Sequence, residues 1–186
     1  LAYKDAIIFI RILLIPIFIY FWILNDEKKI KFLILSIFLS VIFVCLDTFY
    51  QFMNYNPIKG FGKDIFGLMP DFYGRLTGPF KDQVPGAYVS KFALIGSLFI
   101  FLNIKNENLK IVSVIAYLSL VGLITFISGE RMALATFFLG LFFIFIFIKK
   151  RKLIFLISMI SIFFIILFFE NNHPIYNDYK IIKSTP

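Results

Sequence analysis

The chain has 186 residues, 60% of them hydrophobic, with a mean hydropathy of +0.90 and a formal net charge of +8. A water-soluble domain carries about 45–50% apolar residues, so this composition excludes an ordinary soluble domain. The positive charge would suit nucleic acid, but the cations sit mainly in short turns between apolar runs, and no nucleic-acid partner is expected.

Six apolar segments follow one another, at about 6–24, 32–50, 87–103, 110–127, 132–148 and 153–169. Each is close to the roughly 20 residues with which a helix crosses about 30 Å of hydrocarbon. Strand-type alternation is absent, which argues against a barrel. The expected fold class is therefore all-α: a polytopic transmembrane helical bundle of about six spans, in a single domain over 1–186, with one long ordered outer loop at 51–86.

Span one contains Arg11, either a functional intramembrane charge or a cation snorkelling toward Asp5. Span two contains the sole cysteine, Cys45, read as a packing residue, and ends near Asp47. Asp47 and, further on, Asp82 are carboxylates that act either as bases or as partners for nearby cations. The loop holds six of the ten glycines and four of the seven prolines. Nine aromatics between Phe49 and Phe80 argue against disorder, so the expectation is an ordered segment lying on the membrane boundary. In span three, Lys91 follows Tyr88 by three residues on one helix face, as a phosphate contact or a snorkelling lysine. His173, in the tail, is read as a solvated loop residue. Leu1 at the start and the motif-free Ser184-Thr185-Pro186 at the end suggest a piece of a longer protein.

The connectors set the expected orientation. Asn25–Lys31, Asn103–Lys110 and 149–152 hold nine cations in 19 residues, whereas the opposite connectors hold eight in 62. The dense set should face the cytoplasm. The loop and both termini then face the periplasm or cell exterior, and the expected location is a bacterial inner (plasma) membrane.

No glycine-rich phosphate loop and no cysteine or histidine cluster is present, so no cofactor and no metal is expected. Two arginines remain on the outer side. Arg75 lies in Gly74-Arg75-Leu76-Thr77-Gly78-Pro79-Phe80-Lys81-Asp82. Arg131 lies in the short turn Ser128-Gly129-Glu130-Arg131-Met132, at the start of span five. Guanidinium presents a planar fork suited to phosphate oxygens, and a helix N-terminus adds its own preference for anions. Such a pair could clamp the pyrophosphate of a lipid-linked substrate. The alternatives are interfacial anchoring for Arg75 and local neutralisation of Arg131 by Glu130.

Arg75-Leu76-Thr77-Gly78-Pro79-Phe80-Lys81-Asp82, followed by Gly86-Ala87-Tyr88-Val89, resembles the outer-loop signature of bacterial O-antigen ligases and O-antigen polymerases. Ser128-Gly129-Glu130-Arg131-Met132-Ala133 is similar to that family's short arginine motif opening the next helix. The matched motifs cover about 20 residues, and the helix layout most of the chain. The resemblance implies a metal-independent membrane glycosyltransferase acting on a glycan carried by undecaprenyl pyrophosphate. Arg75 and Arg131 would be catalytic, and Gly78, Lys81, Gly86, Tyr88, Lys91 and Glu130 would bind substrate. The acceptor would be a hydroxyl of lipid A core for a ligase or of a growing glycan for a polymerase, with membrane lipid as the other partner. The family's general-base histidine lies in a second outer loop, and His173 comes too early to take that role. Two readings of other classes stand beside this one: a transporter or flippase-like protein, and an assembly subunit without an active site.

Overall fold

A computed structural model of the chain describes residues 14–23, 25–56, 60–70, 75–80, 83–147 and 152–172. Those residues form six helices and no strand. They are α1 (Leu14–Ile23, its last turns a π-helix over Ile19–Ile23), α2 (Glu27–Met53), α3 (Pro85–Asn103), α4 (Glu107–Ile127), α5 (Arg131–Phe147) and α6 (Lys152–Asn172). The expected start of the first span, with Arg11, lies outside the described residues.

Four helices, α2, α3, α4 and α6, are long and apolar enough to cross a bilayer, and the chain is a membrane protein. The described part of α5, 17 residues, reaches about 25 Å at 1.5 Å per residue. Phe142 and Phe143 on α5 and Phe163, Phe164 and Phe168 on α6 are exposed. An apolar surface of this kind would drive association in water but matches lipid tails.

Local chemistry sets the helix ends. The Asp26 carboxylate accepts from the Lys28 amide at 2.9 Å, which starts α2 five residues before its apolar run. Asn106 does the same for α4, accepting from the amides of Asn108 and Leu109. Pro85 occupies the first turn of α3, where its missing N–H costs nothing.

α4 is the most enclosed span. Its Val114, Leu118, Val121 and Ile124 are fully buried, and it packs against α2, α3, α5 and α6. Without a hydrophobic force between helices in lipid, association relies on close packing and interhelical hydrogen bonds. At Gly122 a Cβ would come within 2.8 Å of the Ile162 side chain, so glycine permits the α4–α6 approach. One turn away, Ser119 donates to Ser161 at 3.0 Å.

Successive spans run in opposite directions. The described parts of the 54–84 loop and the 128–130 turn therefore share one end of the bundle, and the connectors at 25–26 and 104–106 share the other. At the lysine-rich end Lys110 pairs with Glu107 at 3.0 Å.

The loop does more than lie on the boundary. After α2 ends, Phe61 tucks against Tyr55 and Phe52. The chain then turns at Asp64–Leu68 and descends along the flank of α2. The Ile65 amide donates to Asp47 at 2.9 Å, and the Phe66 ring meets Phe43 at 5.8 Å. Phe43 and Gln51, eight residues apart on the helix, mark a contact strip about 12 Å long.

Candidate functional site

The segment carrying Arg75 is held by one side chain of α2. The Gln51 amide oxygen accepts from the amides of both Thr77 and Gly78, at 3.0 and 2.9 Å. Leu76 and Thr77 are completely buried beneath it. Gly78 adopts φ +50°, and a Cβ there would strike the Thr48 hydroxyl, so both its conformation and its close approach require glycine. With 76–78 fixed downward, Arg75 stands exposed at the surface.

From Gly78 a line of contacts leads to the second arginine. The Phe80 ring packs on Tyr88 with centroids 5.5 Å apart. Two residues before Tyr88, Gly86 lies in the first turn of α3, and a Cβ there would collide with the Ser128 hydroxyl and the Glu130 side chain. The 128–130 turn ends α4 through Gly129 at φ +75°, and α5 begins at once with Arg131, which is exposed. The two motifs separated in sequence by some fifty residues are thus packed together at one end of the bundle.

Glu130 does not neutralise Arg131. Among the described residues no ion pair joins them. Instead the carboxylate packs on Gly86 at the start of α3, its Oε2 buried without a hydrogen-bond partner. A negative group is favoured beside the positive end of a helix dipole. Glu130 therefore serves as the packing tie between the two motifs, and among the described residues Arg131 has no carboxylate partner.

The remaining candidates separate. Tyr88 is half-buried, and its hydroxyl is engaged with Ser40 of α2 at 2.9 Å, between the rings of Phe80 and Phe92. Lys91 is exposed on α3. Lys81, Asp82 and His173 lie outside the described residues. No group of three or more metal-ligating His, Cys, Asp or Glu side chains forms among the described residues.

Sequence reasoning missed a buried polar layer under the site. Asp47, Thr48, Gln51, Asp64 and Thr77 are all buried. Asp47 uses one oxygen on the Ile65 amide, and Asp64 uses one on the Leu68 amide at 2.6 Å. The second oxygen of each, together with Gln51 Nε2 and Thr77 Oγ1, has no hydrogen-bond partner. Asp47 thus pairs with the Ile65 backbone, and among the described residues no cation joins it. The available signal was the Asp47–Gln51 spacing of four, which puts two polar side chains on one face of an otherwise apolar helix.

No protein-family model matches the chain, and no curated protein and no solved structure matches it either.

Proposed function

We propose that the chain transfers a glycan from undecaprenyl pyrophosphate to a sugar hydroxyl on lipid A core, as an O-antigen ligase does, at the periplasmic face of a bacterial inner membrane. A repeat-unit polymerase of the same family would run the same chemistry on a growing glycan. The supporting observation is the packing of Gly86 on Ser128 and Glu130. It joins two motifs that resemble one family, and each carries an exposed arginine at the same end of the bundle.

In this reaction the acceptor hydroxyl gives its proton to a general base, which the resemblance puts in a second outer loop, and its oxygen bonds to the anomeric carbon as the bond from that carbon to the pyrophosphate oxygen breaks. Negative charge grows on the departing pyrophosphate. Two guanidinium forks answer that charge, and the unpaired N–H groups in the first turn of α5 add donors beside Arg131. Donors fixed before the reaction act without reorganising, and losing one costs on the order of 100- to 1000-fold in rate.

The test uses the full-length protein in cells whose surface polysaccharide depends on it. Arg75→Ala and Arg131→Ala should each abolish polymer-bearing lipopolysaccharide bands at unchanged membrane levels. Lysine at either site should restore little, because it keeps the charge but loses the fork. Normal banding in both alanine variants would overturn the proposal.

A further inference from the structure

The opposite, lysine-rich end carries a second site. α1 and α2 meet there at an elbow fixed by two hydrogen bonds, Asn25 Nδ2 to the Phe21 carbonyl and the Asp26 amide to the Ile23 carbonyl, both 3.2 Å. Between the helices runs an open groove of about 440 Å³. Its walls are Phe18 and Trp22 from α1 and Phe32 and Leu33 from α2, and Lys28 and Lys29 stand at its mouth. The Lys29 ammonium sits 5.1 Å above the Trp22 ring, and the Phe18 ring packs on Trp22 at 5.2 Å, tilted by 36°. A cation over an indole face is held by the ring quadrupole, so this ammonium is positioned without a carboxylate.

Neither lysine is in an ion pair among the described residues. Asp26 uses its carboxylate to cap the Lys28 amide, and Glu27 forms no ion pair with either lysine. The groove therefore has an apolar wall continuous with the lipid-facing side of α2 and two unpaired ammonium groups where the helix leaves the hydrocarbon. An anionic phospholipid has the complementary chemistry, an acyl chain joined to a head that keeps a net negative charge. A zwitterionic lipid cancels that charge, and a soluble anion leaves the aromatic wall uncovered.

We propose that this groove binds one anionic phospholipid, its phosphate between Lys28 and Lys29 and an acyl chain along Phe18, Trp22 and Phe32. The lipid braces α1 against α2.

Trp22 is the only tryptophan in the chain and lines the groove, so its fluorescence reports occupancy directly. The full chain is placed in bilayers that contain the same fraction of acyl-brominated lipid as either phosphatidylglycerol or phosphatidylcholine. The brominated anionic lipid should quench Trp22 well beyond the zwitterionic one. At about fivefold per lysine, the Lys28→Gln/Lys29→Gln double variant should lower the anionic preference roughly 25-fold. Quenching by brominated phosphatidylcholine should stay the same in that variant. Lys105→Gln/Lys152→Gln, at the same end but away from the groove, should keep the preference. Equal quenching by the two lipids in the unaltered chain overturns the proposal. So does a preference that survives loss of Lys28 and Lys29, or that disappears with Lys105 and Lys152. Loss of the preference on adding inorganic phosphate would reassign the site to a soluble anion.

Discussion

Gln51→Leu probes the joint that holds the Arg75 segment. Leucine has similar bulk but no acceptor, so the amides of Thr77 and Gly78 lose the oxygen they share. Each buried donor left unsatisfied costs about 1–3 kcal/mol, or about 2–6 kcal/mol for the two. The substitution also removes Gln51 Nε2, itself buried and unpartnered, which offsets part of the cost. The lower end, about 2 kcal/mol, is therefore the working value, and it raises the open fraction of the segment roughly 25-fold. A thiol in place of Leu76, which is completely buried, reads that opening. In a Cys45→Ala background, Leu76→Cys should react with a membrane-impermeant maleimide roughly 25 times faster when Gln51 is replaced by leucine. Met69→Cys, at an exposed loop position, should react quickly with or without the change. If the Leu76→Cys labelling rates with and without Gln51→Leu agree within about twofold, the two hydrogen bonds are not what holds the segment, and the reasoning from orphaned donors fails.

Three further outcomes are expected. Gly86→Ala should destabilise the protein in detergent by about 1–3 kcal/mol through its collision with Ser128, and adding Ser128→Ala should recover much of that loss, measured as the thermal midpoint. Tyr88→Phe and Ser40→Ala should each cost about 1 kcal/mol, and the double variant should cost little more than either alone. Because the Tyr88 hydroxyl is already engaged, Tyr88→Phe should leave surface polysaccharide intact, and loss of polysaccharide would return that hydroxyl to the substrate. Gly122→Leu should separate α4 from α6 and abolish accumulation of folded protein in the membrane, whereas Gly140→Ala, which meets only the tip of Leu94, should be tolerated.

The helices were legible because a bilayer accepts few solutions. Backbone groups in hydrocarbon must bond within a helix or a closed barrel, so a long apolar run without alternation specifies a helix. Their ends were less legible. Asp26 and Asn106 extend α2 and α4 past their apolar runs by capping, a local effect that hydropathy does not register. The descent of the loop along α2 rests on pairs such as Gln51 with Thr77, 26 residues apart, and Asp47 with Ile65, 18 apart. Nothing local in the sequence announces such contacts. The same holds for Glu130, which reads as a natural partner for its neighbour Arg131 but finds its packing on Gly86. Both arginines fall at one end of the bundle because an odd number of spans separates the connectors that carry them from the lysine-rich connectors.

The most direct measurement is glycan transfer by purified full-length protein in lipid nanodiscs, supplied with an undecaprenyl-pyrophosphate-linked glycan and a lipid A core acceptor. Release of undecaprenyl pyrophosphate should match formation of the glycosylated acceptor, without added metal. Arg75→Ala and Arg131→Ala should each lower the single-turnover rate on the order of 100-fold or more. Turnover at the unaltered rate in both variants would contradict the account.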